Sequence, residues 1–290
     1  MELLGNNGKD RSSLKSLRVG FIGPGKMAKA ILHGLTFDAE RQWLSNGVWV
    51  AGRSQRSLDL FVKGFDKESL QLTLDNSELV KNTELIFLCV KPFQAEAVLE
   101  QIKSLAEDKM IISVVAGLSL KKIKQIIPRC LVVRTMPNLA CQIGKGIIPF
   151  ALEKEDVQRN KGIMDLVHFI LSPLGHPLPI SEELMPAVTA LTGCGPAYVC
   201  MLLIALIEKA KACGFSEVQA SQLIEDMAFG TVLLLKEMNK SPHTLLSEVK
   251  TPGGITEAAV QFLVRRGWED ILIEAIETAN KKAEELESHL

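Results

Sequence analysis

The stretch "RVGFIGPGKMA" (18–28) decides the fold of the first half of the chain. It joins a β-rich run to a helical run through three glycines, Gly20, Gly23 and Gly25, in the spacing G-x-x-G-x-G. Glycines allow a tight turn and let a pyrophosphate reach backbone N–H groups at a helix N-terminus, where the helix dipole favours anions. Because strand, loop and helix come in this order, the stretch predicts a dinucleotide-binding turn.

Apolar β-rich runs alternate with helical segments through the rest of this half. Further strands are predicted at 48–52, 85–90, 110–117, 131–136 and 146–152, and 175–181 is a last strand or a linker. Helices are predicted at 26–35, 93–105, 119–127 and 156–171. The strands are continuously apolar, as expected for a parallel sheet covered on both faces. The alternation predicts a doubly wound α/β domain.

From residue 182 onward the β signal nearly vanishes, and long helices are predicted at 196–213, 216–239 and 255–287. We therefore predict a disordered tail at 1–17, a dinucleotide-binding domain at 18–182 and an all-α domain at 183–290. The segment "AYVCMLLIALI" (197–207) is apolar on all sides, and such a helix must be covered on every side. This predicts an obligate homodimer with intertwined helices; a central helix in a monomeric bundle is the alternative.

The composition excludes several classes of protein. The formal net charge of -1 gives no electrostatic reason to expect nucleic acid or an anionic membrane. The longest apolar run, 197–207, is shorter than the roughly 18 residues of a membrane span. The six cysteines form no C-x-x-C pair and histidine is scarce, so no metal site is predicted. With no signal-type apolar core in the first 17 residues, we expect a cytoplasmic protein with small buried thiols.

The ends of the predicted strands carry the polar residues of a ligand site. Where NAD-binding domains place an acidic residue for the ribose 2′-hydroxyl, this chain has Arg53, Ser54 and Arg56. Cations there suit a 2′-phosphate, so NADPH is the predicted cofactor and NADH the alternative. The motifs "VKP" (90–92), "AG" (116–117) and "MPN" (136–138) end three further strands. Hydrolase and P-loop motifs do not occur, which leaves hydride transfer.

A second unusual stretch, "KTPGGITEAAV" (250–260), interrupts the helical half. Pro252, Gly253 and Gly254 break helices. The simplest interpretation is a turn followed by a helix that is capped by Thr256.

Five motifs, in order, resemble those of the pyrroline-5-carboxylate reductases: "VGFIGPGKMA", "VKP", "RTMPN", "LTGCGPAYV" and "VKTPGGITEAA". The resemblance runs from about 18 to 286, and the pair "GCGPAY" and "PGGIT" is its most specific part. It implies NAD(P)H-dependent reduction of the cyclic imine Δ1-pyrroline-5-carboxylate to L-proline. It also implies a Rossmann-like N-terminal domain and an all-α C-terminal dimerisation domain, whose dimers in the family often assemble into rings.

The resemblance also assigns residues to the two ligands. Its cofactor contacts fall on Gly23, Pro24, Gly25, Lys26, Met27, Arg53, Ser54, Asn76, Val90, Lys91, Pro92, Ala116 and Gly117. Its substrate contacts fall on Val249, Thr251, Pro252, Gly253, Gly254, Ile255 and Thr256, with the partner subunit contributing to the site. The glycine amides would then hold the substrate carboxylate. Thr256 would be the catalytic residue, hydrogen-bonded to the ring nitrogen.

Six positions depart from the family pattern: Leu139, Ala140, Thr192, Cys194, Ile204 and Lys250. Of these, Leu139, Ile204 and Lys250 leave open a reductase of another cyclic imine acid, such as the six-membered homologue. A non-catalytic paralogue that keeps the dinucleotide fold is a further alternative. A β-hydroxyacid dehydrogenase-like enzyme would need a lysine as general acid in the α domain. Lys209 and Lys211 are candidates for that lysine, but neither lies in a supporting motif.

Overall fold

The computed structural model describes residues 17–37 and 47–290. They form two compact units: residues up to 193 together with 279–290, and residues 194–278. The predicted tail lies outside the described residues except for Leu17, which is buried, so the tail prediction is wrong for Leu17. The predicted domain division at 182 stays a prediction.

The first unit is built on one eight-stranded sheet in the order β3-β2-β1-β4-β5-β6-β7-β8. Neighbouring strands run parallel except for the pair β6 and β7. Every residue of β1, β4, β5 and β6 is buried, which fits their continuous apolar runs. The strands are β1 Val19–Ile22, β2 Val48–Ala51, β3 Leu70–Thr73, β4 Leu85–Leu88, β5 Met110–Ser113, β6 Leu131–Thr135, β7 Gly146–Ala151 and β8 Gly175–Pro179.

Helices cover both faces of this sheet and bury a separate apolar cluster on each face. They are α1 Lys26–Phe37, α2 Gln55–Phe61, α3 Asn76–Lys81, α4 Pro92–Ile102, α5 Leu120–Ile126, α6 Lys154–Arg159, α7 Ile163–Leu171 and α8 Met185–Val188. The prediction of a doubly wound α/β domain is confirmed. The single helix predicted at 156–171 is wrong, because Gly162 adopts a left-handed conformation with φ of 89° and separates α6 from α7.

The second unit is helical, as predicted. Its helices are α9 Gly195–Ala212, α10 Glu217–Glu237, α11 Pro242–Val249, α12 Ile255–Arg265 and the first half of α13 Trp268–His289. The single helix predicted at 255–287 is wrong, because left-handed Gly267, with φ of 68°, separates α12 from α13. The last turns of α13 belong to the first unit.

The helix α9 is apolar, yet Ala210 is its one buried residue in the single chain. The helical stretch Glu182–Ala212 is 31 residues long, because a π-turn at Thr189–Gly193 continues into α9. By length and mean hydropathy, 2.0, this stretch meets the criterion for a membrane span, although the apolar run in the sequence is shorter. Core helices of soluble proteins meet the same criterion, and the described residues hold no second stretch of this kind.

Candidate functional site

A cavity of about 420 Å³ lies at the carboxyl ends of β1, β2 and β4. This is the edge at which open α/β sheets bind ligands, next to the point where the strand order reverses. Eight predicted cofactor residues line it: Gly23, Pro24, Gly25, Arg53, Ser54, Asn76, Val90 and Lys91. The sequence motifs therefore meet in one place, although up to 68 positions separate them along the chain.

The glycine turn is shaped for a phosphate. Gly23 has φ of 95°, and its N–H donates to the Ala51 carbonyl at 3.0 Å. A Cβ at Gly23 would lie 2.8 Å from the Cys89 carbonyl oxygen, so no side chain fits there. A Cβ at Gly25 would meet nothing closer than 3.9 Å. The space beside Gly25 is thus left open next to the N-terminus of α1, as a bound pyrophosphate requires.

The corner between β2 and α2 presents a cation. Arg53 is exposed and lines the cavity. Ser54 is the N-cap of α2: its hydroxyl accepts from the Ser57 N–H at 3.3 Å, and its carbonyl accepts from the Ser57 hydroxyl at 2.7 Å. The sequence reasoning missed this cap. Arg53 and Ser54 are the two predicted ligands of the 2′-phosphate. Arg53 has the freer side chain, because the Ser54 hydroxyl already accepts a hydrogen bond from the first turn of α2.

Two further lining residues are held by neighbouring amides. The Asn76 side-chain nitrogen donates to Gln101 Oε1 at 2.8 Å. The Lys91 N–H donates to Gln94 Oε1 at 3.2 Å, in the cap of α4. The sequence reasoning also missed several lining residues that lie beside the strand ends or in the first turns of α2 and α4: Ile22, Ala51, Gly52, Ser57, Leu74, Cys89, Gln94 and Val98.

Five predicted cofactor residues do not line this cavity. Lys26 begins α1 directly after the lining residue Gly25, and Pro92 begins α4 directly after the lining residue Lys91; Met27 is one residue further into α1. Ala116 and Gly117 follow β5, one strand beyond the cavity. Their assignment to the cofactor stays a prediction.

The predicted substrate loop, 249–256, lies in the helical unit. It follows α11, and Gly253 has φ of 71°. The N-cap of α12 is Gly254, whose N–H donates to the Thr251 carbonyl at 3.0 Å. The prediction that Thr256 caps this helix is wrong, because Thr256 is already the second helical residue.

A carboxylate of the chain itself occupies part of the predicted amide cradle. The Gly253 N–H donates to Glu257 Oε2 at 2.7 Å, and the Gly254 N–H is used by Thr251. The expectation that both glycine amides are free for a substrate is therefore wrong. The N–H groups of Ile255 and Thr256 lie in the first turn of α12 and have no partner within the helix. They are the donors that this loop presents.

Other positions that depart from the family pattern are exposed or half-buried. Leu139 is exposed in a 3₁₀ turn, and Ile204 is exposed on α9. Cys194 is the N-cap residue of α9, directly after the π-turn.

Lys211, one of the two candidate general acids, pairs with Glu208 at 3.0 Å on the surface of α9. That contact is typical of a solvated i,i+3 pair.

The six cysteines differ in burial, and Cys89 and Cys194 are half-buried, between the two extremes. Burial raises the pKa of the Cys130 and Cys141 thiols to about 12, so both stay protonated. Cys200 and Cys213 are exposed in the single chain, so the prediction of buried thiols is wrong for these two. Across 17–37 and 47–290, no three His, Cys, Asp or Glu side chains are grouped to hold a metal.

Comparisons with known proteins agree with this geometry. Residues 182–286 match the family model of the pyrroline-5-carboxylate reductase dimerisation domain, and 18–117 match that of the coenzyme F420-dependent NADP oxidoreductases. The chain is 31% identical to the pyrroline-5-carboxylate reductase of Synechocystis over 275 residues, which cover 93% of this chain and 98% of the relative.

Two solved structures are similar over nearly the whole chain. Pyrroline carboxylate reductase of Plasmodium falciparum, solved with NADP bound, has a TM-score of 0.81 at 26% identity, covering 94% of this chain and 99% of its own. The 1-pyrroline-5-carboxylate reductase of Streptococcus pyogenes also has a TM-score of 0.81 at 26% identity, covering 93% and 99%.

Proposed function

We propose, from the premise that this chain belongs to the pyrroline-5-carboxylate reductase family, that NADPH is its hydride donor and that the loop 249–256 holds its substrate. The reaction is the reduction of Δ1-pyrroline-5-carboxylate to L-proline, the final step of proline synthesis. The observation that carries the proposal is the cavity at the sheet edge, which gathers eight of the predicted cofactor residues. A nicotinamide dinucleotide is the cofactor of this fold and family.

The cavity fits a phosphorylated dinucleotide. The turn at Gly23 and Gly25 takes the pyrophosphate, since side chains are excluded at the first glycine and absent at the second. Arg53 is placed after β2 for the 2′-phosphate of the adenosine ribose, and Arg–phosphate pairs are among the stronger hydrogen-bonded contacts. Leu74 and Val98 add an apolar wall.

When bound, the dihydronicotinamide supplies a hydride to the imine carbon. The chain has to hold the substrate carboxylate and assist protonation of the ring nitrogen. The first-turn amides of α12 suit the carboxylate, and the Thr256 hydroxyl suits a hydrogen bond to the nitrogen. A hydroxyl is too weak an acid to protonate the nitrogen alone. Either water supplies the proton, or the imine binds already protonated, as an iminium.

We also propose that the protein is a homodimer formed through the helical unit. Exposed apolar side chains along α9, including Val199, Met201 and Leu202, support a second copy as their cover. The match of 182–286 to a dimerisation domain supports the same assembly. A ring of dimers and a cytoplasmic location stay predictions.

The cofactor preference is tested by comparing NADPH with NADH. Arg53→Ala should raise the KM for NADPH about tenfold or more and leave that for NADH nearly unchanged, because NADH has no 2′-phosphate. Arg56→Ala is the matched control, since Arg56 is exposed but does not line the cavity. Equal effects of Arg53→Ala on both cofactors would contradict the assignment.

The ring size of the substrate is tested by assaying the five-membered imine acid beside its six-membered homologue. The proposal expects a higher kcat/KM for the five-membered ring. A preference for the larger ring would favour the second candidate, a reductase of another cyclic imine acid. Lys250 is the residue that motivates this candidate, because it places a cation within the loop, directly after α11.

A further inference from the structure

Arg134 is a buried cation in the sheet of the first unit. It is the fourth residue of β6, lies beside Ser113 of β5 and Ala151 of β7, and has 2% of its side chain exposed. An unpaired charge at such a place is costly, so its partners are informative.

Two carboxylates hold the guanidinium. Arg134 Nη1 donates to Glu182 Oε1 at 2.8 Å. Nη1 and Nη2 also donate to the two Glu287 oxygens at 2.8 and 2.9 Å, which makes a bidentate pair. Burial opposes the charge, but the hydrogen bonds that the guanidinium donates to Glu287 and Glu182 outweigh it and raise the pKa of Arg134.

The loop between β5 and α5, residues 114–119, is contacted by the backbone beside Glu287 and is followed by a residue that bonds to Glu182. Glu182 Oε1 also accepts from the N–H of Leu120, the first residue of α5, at 2.7 Å. The peptide that joins Leu286 and Glu287 lies against Gly117, where a Cβ would meet the Leu286 carbonyl oxygen at 3.0 Å. Arg134 is thereby linked to Gly117, within the loop, through Glu287, and to Leu120, at the end of the loop, through Glu182.

The strand order shows what this loop borders. The cation for the 2′-phosphate follows β2, and the pyrophosphate turn follows β1. A dinucleotide laid across the edge in that direction next meets β4 and then β5, because the order is β2-β1-β4-β5. The loop after β5 therefore lies at the nicotinamide end, a conclusion that rests on the proposed NADPH.

We propose that Arg134 is a positioning residue for hydride transfer: through Glu182 and Glu287 it fixes the loop that carries Ala116 and Gly117 against the nicotinamide end of the cofactor. Gly117 has φ of 77° and is packed against α13, so the loop has little freedom to rearrange on its own. Misplacement of reacting groups by about 1 Å lowers rates by as much as about a hundredfold.

The test separates the two ends of the cofactor. Calorimetric titration measures the affinity of wild type and Glu287→Gln for NADP⁺ and for 2′-phospho-ADP-ribose, which lacks the nicotinamide. The variant should bind NADP⁺ about tenfold more weakly and the fragment equally well. Its kcat with the imine should fall about tenfold to a hundredfold.

A matched control is the pair of Arg18 and Glu84, at the opposite edge of the sheet. In it, two guanidinium nitrogens also contact one carboxylate: Arg18 Nε donates to the two Glu84 oxygens at 3.1 and 3.3 Å, and Nη2 donates to Glu84 Oε1. Glu84 is 29% exposed, against 28% for Glu287. Glu84→Gln should leave both affinities unchanged, although it also breaks an Arg–Glu pair; the control matches the exposure of the carboxylate, while Arg18 is 45% exposed and Arg134 is 2% exposed.

Arg134→Lys is a second variant, which keeps the charge but loses the planar guanidinium. It should also bind NADP⁺ more weakly than wild type and 2′-phospho-ADP-ribose equally well. Equal weakening of both ligands, or unchanged NADP⁺ affinity in folded Glu287→Gln, would overturn the proposal. Wild-type protein that binds neither ligand would instead overturn the assignment of NADPH, and this inference with it.

Discussion

The two units differ in how they bury their apolar residues. In the first unit, β4 and β5 are buried at every position. In the second, the 18-residue helix α9 is comparably apolar, but Ala210 alone is buried. The first unit therefore supplies its own core. The second presents exposed apolar surface, which we propose a second copy covers, and its helices lie in the part that matches a dimerisation domain.

The largest effect is expected from a substitution that disrupts the proposed dimer contact of α9. Met201 is 70% exposed in the single chain, and Met201→Asp would place a charge on the apolar surface of α9. An uncompensated buried charge costs about 3–5 kcal/mol, so the dissociation constant of the dimer should rise by at least a factor of about a hundred. Sedimentation equilibrium measures this, with wild type expected at twice the 31.8 kDa chain mass.

Lys209→Asp is the control for that variant, because Lys209 is an exposed charge on the same helix. It should leave the dimer intact. Monomeric wild-type protein, or a Met201→Asp variant that dimerises as wild type does, would contradict the contrast between the units.

A second prediction concerns the first unit, which supplies its own core. Gly23→Ala should destabilise the protein by about 1–2 kcal/mol or more, because alanine resists a φ of 95°. Its Cβ would also meet the Cys89 carbonyl oxygen at 2.8 Å. Chemical denaturation without cofactor measures the loss.

Gly25→Ala sharpens the same comparison. Its Cβ would have 3.9 Å of clearance in the protein, so the free energy of unfolding without cofactor should hardly change. Its NADPH affinity should fall, since the methyl group enters the space left for the pyrophosphate. If Gly25→Ala binds NADPH as wild type does, the phosphate does not lie at this turn.

A smaller effect is expected in the helical unit. Glu257→Gln removes the negative charge that now takes the Gly253 N–H, so the KM for the anionic imine should fall about threefold. Glu248→Gln is the control, because Glu248 lies on α11 and pairs with Lys240, in the connection before α11, and accepts from no amide of the loop. A rise in KM for Glu257→Gln would show that Glu257 supports the loop rather than competing with the substrate.

The sequence predicted those features that depend on neighbouring residues. The glycine turn was predictable because a strand, a tight turn and a helix start succeed one another within 18–28. The strand β3 was missed because its sequence, "LQLT", is half polar and its two middle residues are exposed at the edge of the sheet. The break at Gly267 was missed because one glycine inside an apolar-periodic run gives only a weak signal.

Long-range contacts were not predictable in the same way. Arg134 lies in an apolar strand, and its partners are 48 and 153 positions away, so no local pattern connects them. The capture of the Gly253 amide by Glu257 spans only four residues, but it depends on the side-chain conformation. The apolar pattern of α9 indicated a cover, and its exposure in the single chain agrees.

The most direct test of the account follows NADPH oxidation with Δ1-pyrroline-5-carboxylate in wild type, Thr256→Ala and the control Thr278→Ala. Thr278 carries a hydroxyl bonded to the Glu274 carbonyl on an exposed turn of α13. We expect robust turnover in wild type and in the control. In Thr256→Ala we expect a kcat lower by about a hundredfold with unchanged NADPH affinity, because the lost hydroxyl assists protonation and does not cap α12. No turnover by folded, NADPH-binding wild type, or full activity of Thr256→Ala, would contradict the account.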